Sequence, residues 1–370
     1  MPRLFAVVLL FALAAFSAPA AQDVWTGVDR IVAIGDVHGD YDQFVTLLKQ
    51  TGLVNQKMRW SGGKTHLVQV GDVPDRGPGT RKIMDLMMRL EKQARKAKGY
   101  VHALIGNHEA MNVYGDLRYV TKAEFNAFKT SDSSRVRDIF YERHAKEVKD
   151  KTGKAPDDAA KKKWYAEHPL GYFEQRVAFG PKGKYGKWIR SHNAVIKIND
   201  SLFLHGGISP RLEDWKIRDI NNEIRKELKD FSLLKGGLAL AEDGPLWYRG
   251  LAQGNQRDLL PNVEAALANY GVKRIVIGHT PTAGTVMPRF GGRVLVIDVG
   301  LSKYYGSRLA CLVIENDEPY TLHRGKRLNL PDGSREGVLA YLKAAAALDP
   351  QPSPLAPVIA QLEAAPAATR

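Results

Sequence analysis

The sequence predicts an α/β fold, and three features along its 370 residues support this prediction. The first third alternates short β-type runs with segments of helical apolar spacing, and the second half is rich in strand-like runs. Between them lies a polar, lysine-rich, helix-favouring segment, residues 116–191. We therefore predict one domain over residues 22–343, into which this segment is inserted as a helical cap.

The elements of the first third follow the order β-α-β-α-β. Strands are predicted at residues 30–34, 66–70 and 100–105, and helices at residues 41–50 and 81–98. Strands connected in this way are parallel, with right-handed crossovers. The loops that follow them therefore meet at one edge of the sheet, where α/β proteins bind their ligands.

The second half resumes the core after the cap. The predicted strands are residues 194–198, 202–204, 274–277, 294–297 and 309–314, and the helix-like segments are residues 217–234 and 261–270. From residue 344 the chain becomes rich in Ala and Pro, so we predict a loosely ordered tail over residues 344–370.

The first 21 residues have the composition of a secretory signal peptide. Arg3 supplies a positive start, residues 4–16 are apolar, and small residues at 18–21 suit a cleavage site. The apolar run is shorter than the ~20 residues that a membrane span needs. We predict an exported protein, periplasmic or secreted, with no stable span after processing; an uncleaved N-terminal anchor is the alternative.

Charge and cysteine content exclude several function classes. The net charge of +14 is concentrated in helix-like segments that also carry acids, which is typical of solvated helical faces. No basic platform interleaved with aromatic residues is visible, so the sequence gives no strong nucleic-acid signal. The single cysteine, Cys311, lies in an apolar run, and Asp317 stands where a cysteine phosphatase would carry its phosphate-binding arginine.

Six turns that follow apolar runs carry Asp, His or Asn: residues 35–40, 71–77, 106–109, 205–207, 278–280 and 298–300. Nitrogen and carboxylate donors without thiolates suit two neighbouring divalent cations such as Mn, Fe or Zn. Asp72 ends a central strand, and its carboxylate could bridge both cations. The predicted metal ligands are Asp36, His38, Asp72, Asn107, His205 and His279.

Two further residues are predicted to act on the leaving group. His108 directly follows a predicted ligand, so its side chain should point away from the metals, toward the leaving group. Asp75 is predicted to orient this imidazole. The pair would act as a general acid, which is typically worth ~10²–10⁴ in rate.

Two arginines are predicted to bind phosphate, because a guanidinium holds two phosphate oxygens in a fork. These are Arg76 and Arg249, although Arg249 could instead form a surface ion pair. The sixth turn, residues 298–300, is predicted to shape the pocket wall without supplying a ligand. Tyr304 and Tyr305 follow it and either line the pocket or serve packing.

These motifs resemble the calcineurin-like metallophosphoesterase superfamily, and within it the phosphoprotein phosphatase branch. Asp75-Arg76-Gly77 and Glu109 point to that branch, and residues 106–112 with 115–120 resemble the Shewanella-like protein phosphatases. The resemblance covers roughly residues 30–315. It implies a sandwich of two mixed β-sheets flanked by helices, two divalent metal ions, and attack by metal-bound hydroxide without a covalent enzyme intermediate.

Two features depart from the family pattern. Pro74 stands where a valine is more usual, and it could shift Asp75. The cap is also long for the branch. These departures leave the metal site intact but leave the substrate open.

The leading functional hypothesis is a binuclear metal-dependent phosphomonoesterase that acts on phosphorylated Ser, Thr or Tyr in proteins. A hydrolase of nucleotides or dinucleoside polyphosphates on the same scaffold is the nearest alternative. A third alternative is a non-catalytic basic envelope protein that binds anionic polymers.

Overall fold

The structure is a computed structural model that describes residues 22–364. The predicted signal peptide, residues 1–21, and the last six residues of the predicted tail lie outside the described residues. Among residues 22–364, none of the helices combines the length and apolar character that crossing a bilayer requires.

Two mixed β-sheets of six strands each form the centre of the fold. Within residues 22–364, the strands are β1 Val24–Trp25, β2 Arg30–Ile34, β3 His66–Gln69, β4 Tyr100–Ala103, β5 Val195–Ile198, β6 Ser201–Leu204, β7 Arg274–Ile277, β8 Met287–Arg289, β9 Val294–Val296, β10 Ala310–Glu315, β11 Glu318–His323 and β12 Lys326–Asn329. The first sheet has the order β12-β11-β10-β2-β3-β4, and the second has the order β1-β5-β6-β7-β9-β8.

Helices flank the sheets and build the inserted cap. They are α1 Tyr41–Gln50, α2 Thr80–Lys96, α3 Asn107–Tyr114, α4 Lys122–Ala127, α5 Ser133–Thr152, α6 Asp158–Glu167, α7 Tyr172–Phe179, α8 Lys184–Arg190, α9 Ile217–Glu227, α10 Gly250–Gln253, α11 Gln256–Tyr270, α12 Arg335–Ala346 and α13 Ala356–Ala364. Two mixed β-sheets flanked by helices confirm the fold class predicted from the sequence. Helices α4 to α8 lie in residues 116–191, the segment predicted to be a cap.

The β-α-β-α-β prediction for the first third is also confirmed. Strands β2, β3 and β4 are parallel, and α1 and α2 connect them. These strands are almost entirely buried, as is typical of parallel strands that are covered on both faces. Asp40 begins α1 by accepting a hydrogen bond from the Gln43 amide at 3.2 Å.

The two sheets approach each other closely at the edge where β2 ends. A Cβ atom on Gly35 would lie 2.3 Å from the carbonyl oxygen of Ile297, which follows β9 in the other sheet. Only glycine permits this approach. The turns that follow β2 and β3 therefore lie beside those that follow β6 and β7, and residues distant in sequence meet.

The tail differs from the prediction of loose order beyond residue 344. Residues 344–346 complete α12, and α13 lies within the same stretch. Tyr341 and Leu355 are buried, and the Tyr341 hydroxyl contacts the Thr321 hydroxyl at 2.8 Å and the Val286 carbonyl oxygen at 2.8 Å. Alanine favours helix strongly, and Leu355 of the tail packs in a small buried cluster with Tyr341, Leu342 and Ala345.

Candidate metal centre

The six predicted metal ligands lie together at the edge shared by the two sheets. All of them are buried, with at most 5% of any residue exposed. The first sheet supplies Asp36 and His38 after β2, Asp72 after β3 and Asn107 after β4. The second sheet supplies His205 after β6 and His279 after β7.

Asp72 lies at the centre of this group. Its Oδ2 atom is 3.2 Å from His205 Nε2 and 3.8 Å from His38 Nε2. Nitrogen and oxygen atoms that could hold an ion form two groups, both of which contain Asp72: one with His38 and His108, the other with His205 and His279. A carboxylate shared by two groups suits a bridging role between two cations.

Backbone carbonyls fix the protonation of three histidines. A carbonyl oxygen only accepts hydrogen bonds, so the ring nitrogen beside it carries the proton, and the other ring nitrogen presents a lone pair. The pairs are His38 Nδ1 with Pro74 O at 3.1 Å, His205 Nδ1 with Val70 O at 3.0 Å, and His279 Nε2 with Trp247 O at 3.1 Å. Pro74, the departure from the family pattern, thus contributes its carbonyl to the site.

The ring nitrogens and the amide oxygen that present lone pairs face one another, and none of them carries a proton. His205 Nε2 lies 2.8 Å from Asn107 Oδ1 and 3.1 Å from His279 Nδ1. Burial lowers the pKa of His38 to about 3 and that of His279 to about 2, so both imidazoles are neutral near pH 7. Converging lone pairs in a buried site are satisfied by a cation, so these residues fit divalent metal ions.

The carboxylates of the site concentrate negative charge. Burial, then the charges of Asp298 and Asp72, raise the pKa of Asp36 well above its ordinary value. Burial alone would also raise the pKa of Asp72, but the His205, His108 and His38 rings outweigh it and hold that pKa well below normal. Bound cations would neutralise this charge. Asp298 accepts a hydrogen bond from the Gly300 amide at 3.0 Å and borders the site.

Five site residues adopt left-handed backbone conformations. Their φ angles are 44° at His38, 60° at Asp72, 74° at Asp75, 66° at Arg76 and 65° at His279. For residues other than glycine, each such conformation costs of order 1–3 kcal/mol and persists where the surroundings impose it. The turns are therefore held in place by other contacts, and a buried carboxylate supplies several of them.

That carboxylate belongs to Glu109, which joins the turns after β3 and β4. Its Oε2 accepts hydrogen bonds from the amides of Asp72 and Gly106, and its Oε1 from the amide of Val73, all at 2.8 Å. From the sequence, Glu109 served only as a family marker. The Gly-x-x-Glu spacing at the start of α3 is a capping-box signal that could have indicated this role.

His108 and Asp75 form the predicted hydrogen-bonded pair. His108 Nδ1 contacts Asp75 Oδ2, and Asn112 donates to Asp75 Oδ1 at 2.9 Å. Burial would lower the pKa of His108, but Asp72 and Asp75 outweigh it and raise that pKa to about 9. Glu124, at the start of the cap, accepts a hydrogen bond from the Asp75 amide at 3.3 Å. Asn112 belongs to the family-like motif at residues 106–112, which indicates no role for it, and Glu124 lies outside every motif, so sequence reasoning missed both contacts.

Arg76 lies at the mouth of the site between two aromatic rings. Its guanidinium is 4.1 Å from the centre of the Tyr119 ring and 4.7 Å from that of Tyr304. Its Nη1 donates to the Tyr304 hydroxyl at 3.1 Å. Tyr119 belongs to the cap segment, so the cap helps to orient the predicted phosphate-binding arginine.

Arg249 and Tyr305 border the site on other sides. Arg249 Nη1 donates to the carbonyl oxygen of His279 at 2.8 Å, which links it to a predicted ligand instead of a surface ion pair. Its contact with phosphate stays a prediction. The Tyr305 ring centre lies 5.3 Å from that of His38, and Tyr305 is partly buried.

A buried cluster of Asp, His and Asn beside an imidazole–carboxylate pair defines a metal-dependent phosphoesterase. The model of the calcineurin-like phosphoesterase family matches residues 29–283. The chain therefore belongs to this family and is a metal-dependent phosphatase.

Relatives and solved structures agree with this assignment. The chain is 31% identical over 291 residues to Shewanella-like protein phosphatase 2 of Arabidopsis thaliana, covering 74% of this chain and 72% of that protein. It is 33% identical over 317 residues to an uncharacterised protein of Schizosaccharomyces pombe, covering 81% and 82%. The structure is similar to a cold-active protein-tyrosine phosphatase of a psychrophilic Shewanella species, with a TM-score of 0.65, 29% identity, and coverage of 83% and 82%.

Replacing Glu109 with Gln tests whether this carboxylate supports the site. The Glu109→Gln side chain would oppose an amide N–H with its own NH₂ group. We expect the free energy of unfolding to fall by about 1–3 kcal/mol and metal affinity to fall about 10–100-fold. Urea denaturation and metal titration measure both quantities. Glu223→Gln, at a partly exposed residue of α9 far from the site in sequence, is the matched control, and equal behaviour of the two variants would contradict the role of Glu109.

Proposed function

We propose that this phosphatase is a binuclear phosphomonoesterase that removes phosphate from Ser, Thr or Tyr side chains of proteins. The observation that carries the proposal is the His108–Asp75 pair beside Asp72. His108 Nε2 lies 3.7 Å from Asp72 Oδ2, so the imidazole can reach a phosphate ester held at the predicted ligands. The relatives named as protein phosphatases support the choice of substrate class.

Each residue has a distinct part in this proposal. Asp36, His38, Asp72, Asn107, His205 and His279 would hold two divalent cations, Mn, Fe or Zn. When bound, such a pair supplies Lewis acidity and an activated water nucleophile at neutral pH.

The chain's own groups then bind phosphate and move a proton. Arg76 binds the phosphate oxygens, and Arg249 approaches from the His279 side. His108 gives the proton at its Nε2 to the leaving oxygen, while Asp75 holds Nδ1 and stabilises the charged imidazole. Asn112 keeps Asp75 aimed at this ring.

The His108→Asn variant tests the general acid. We expect kcat with Mn²⁺ to fall ~10²–10⁴-fold for alkyl phosphates such as phosphoserine peptides. The loss should be smaller for an aryl phosphate with an acidic phenol, because a good leaving group needs less protonation. Steady-state kinetics on both substrates measures the difference, together with the metal content of the variant.

The matched control for that experiment is His144→Asn, in the cap helix α5. Equal losses of kcat for the alkyl and aryl esters, with normal metal content, would contradict proton donation by His108. Undiminished turnover would contradict any catalytic part for this residue.

A substrate panel separates the proposal from the dinucleotide alternative. We expect phosphopeptides to be hydrolysed with higher kcat/KM than dinucleoside polyphosphates, measured as phosphate released with Mn²⁺, Fe²⁺ or Zn²⁺. The dinucleotides need a pocket for base stacking, and the phosphopeptides do not. A reversed order of kcat/KM would favour the nucleotide hydrolase. Polymer binding without any metal-dependent turnover would favour the non-catalytic envelope protein.

We also propose that the enzyme is exported after cleavage close to residue 21. The composition of residues 1–21 supports this proposal. Sequencing the N-terminus of the protein recovered from the periplasm or medium should give a chain that begins near Gln22. An intact Met1 terminus, retained with membranes, would indicate the uncleaved anchor.

A further inference from the structure

A cavity of about 300 Å³ adjoins the metal centre on the side of His38 and Arg76. Its walls are the first turn of α1, the turn that leads into α2, and residues 302–304. The mechanism above uses only its inner edge. The outer part is large enough for a side chain that flanks the phosphorylated residue.

The charges around this cavity favour an anion. Lys82 and Lys303 line it and are exposed, and Arg76 lies at its inner edge. The Asp40 carboxylate also lines it, but its two oxygens already accept hydrogen bonds from the amides of Gln43 and Lys303, at 3.2 Å and 2.8 Å. Asp42, at the exposed rim, is the one unengaged carboxylate among the lining residues of this cavity.

Two features of the wall offer hydrogen bonds to an anion. The 17-residue helix α2 begins here at Gly79 with no side-chain cap and no acidic residue in its first turn, so the positive end of its dipole favours an anion. Independently, Ser302 lines the cavity with only 2% of the residue exposed, and its hydroxyl has no hydrogen-bond partner among residues 22–364. A buried hydroxyl without a partner is costly, and an anion would satisfy it.

We propose that this cavity is a second anion subsite, which selects substrates with an acidic group near the phosphorylated residue. The inference rests on the proposed protein phosphatase function and adds a substrate preference to it. Lys82 and Lys303 attract the group, and Ser302 with the start of α2 donates hydrogen bonds. An extended peptide advances ~3.3–3.6 Å per residue, so the acidic group would lie within a few residues of the phosphate. A carboxylate and a second phosphate share this chemistry.

The test compares matched phosphopeptides on the full processed chain with Mn²⁺. One set carries Ala at the three positions on each side of the phosphorylated residue; the others carry Glu or phosphoserine at one of these positions. We expect kcat/KM to be about 3–10-fold higher for the best Glu peptide than for the Ala peptide, the range of one or two partly exposed charge contacts. A larger gain with phosphoserine would identify a second phosphate as the preferred group.

Charge variants locate the effect. Lys82→Glu and Lys303→Glu should each reduce the Glu-to-Ala ratio of kcat/KM about threefold, whereas Asp42→Asn should raise it. Lys92→Glu is the control, because it makes the same charge change on an exposed residue of α2 outside the cavity. Because the Glu-to-Ala ratio of kcat/KM is measured within each variant, a general loss of activity cancels from it. Circular dichroism checks that each variant is folded.

The outcomes separate the two proposals. The subsite proposal is wrong if the Ala peptide is hydrolysed and acidic peptides show no higher kcat/KM. It is also wrong if Lys92→Glu changes the Glu-to-Ala ratio as much as Lys82→Glu does. In either case the proposed protein phosphatase function stands. If an aryl phosphate is hydrolysed and none of the peptides is, both are wrong.

Discussion

Three hydrogen bonds from imidazole rings to backbone carbonyls determine the chemistry of the centre. His38, His205 and His279 each place a ring proton on a main-chain oxygen, so each presents a neutral lone pair to the same buried space. Because Asn107 and Asp72 add further acceptors there, the space is complementary to cations and to little else. The carbonyls belong to turns and loops, so the fold itself sets the tautomers.

The same centre depends on both sheets at once. Asp72 follows a strand of the first sheet, and its Oδ2 lies 3.2 Å from Nε2 of His205 in the second. The close approach at Gly35 makes this contact possible. Left-handed turns aim several of the side chains, and Glu109 joins the left-handed turn after β3 to the turn after β4 through three amides. Binding geometry is thus fixed by rigid main chain, which favours metal sites of defined shape.

The strands that lead into the metal-ligand turns were predicted well from the sequence, because apolar β-branched runs ending in Gly-Asp or Gly-Asn carry strong local signals. The sequence could not predict the contacts that Asn112 and Glu124 make with Asp75, because they join segments that are distant in the sequence. Arg249 shows the same limit: its hydrogen bond to the His279 carbonyl depends on how α10 meets the turn after β7. The tail was predicted as loose from its Ala and Pro content, but its Leu355 is buried in a small cluster with Tyr341 and Leu342.

The most direct test of the account is the metal stoichiometry of the purified chain. Elemental analysis after loading with Mn²⁺ and removal of free metal should give two ions per chain. Asp72→Asn, which weakens the carboxylate proposed to bridge the two ions, should retain neither ion after free metal is removed, while His279→Asn should retain one. A stoichiometry of one or none in the unaltered chain, or a full complement in folded Asp72→Asn, would contradict the binuclear centre.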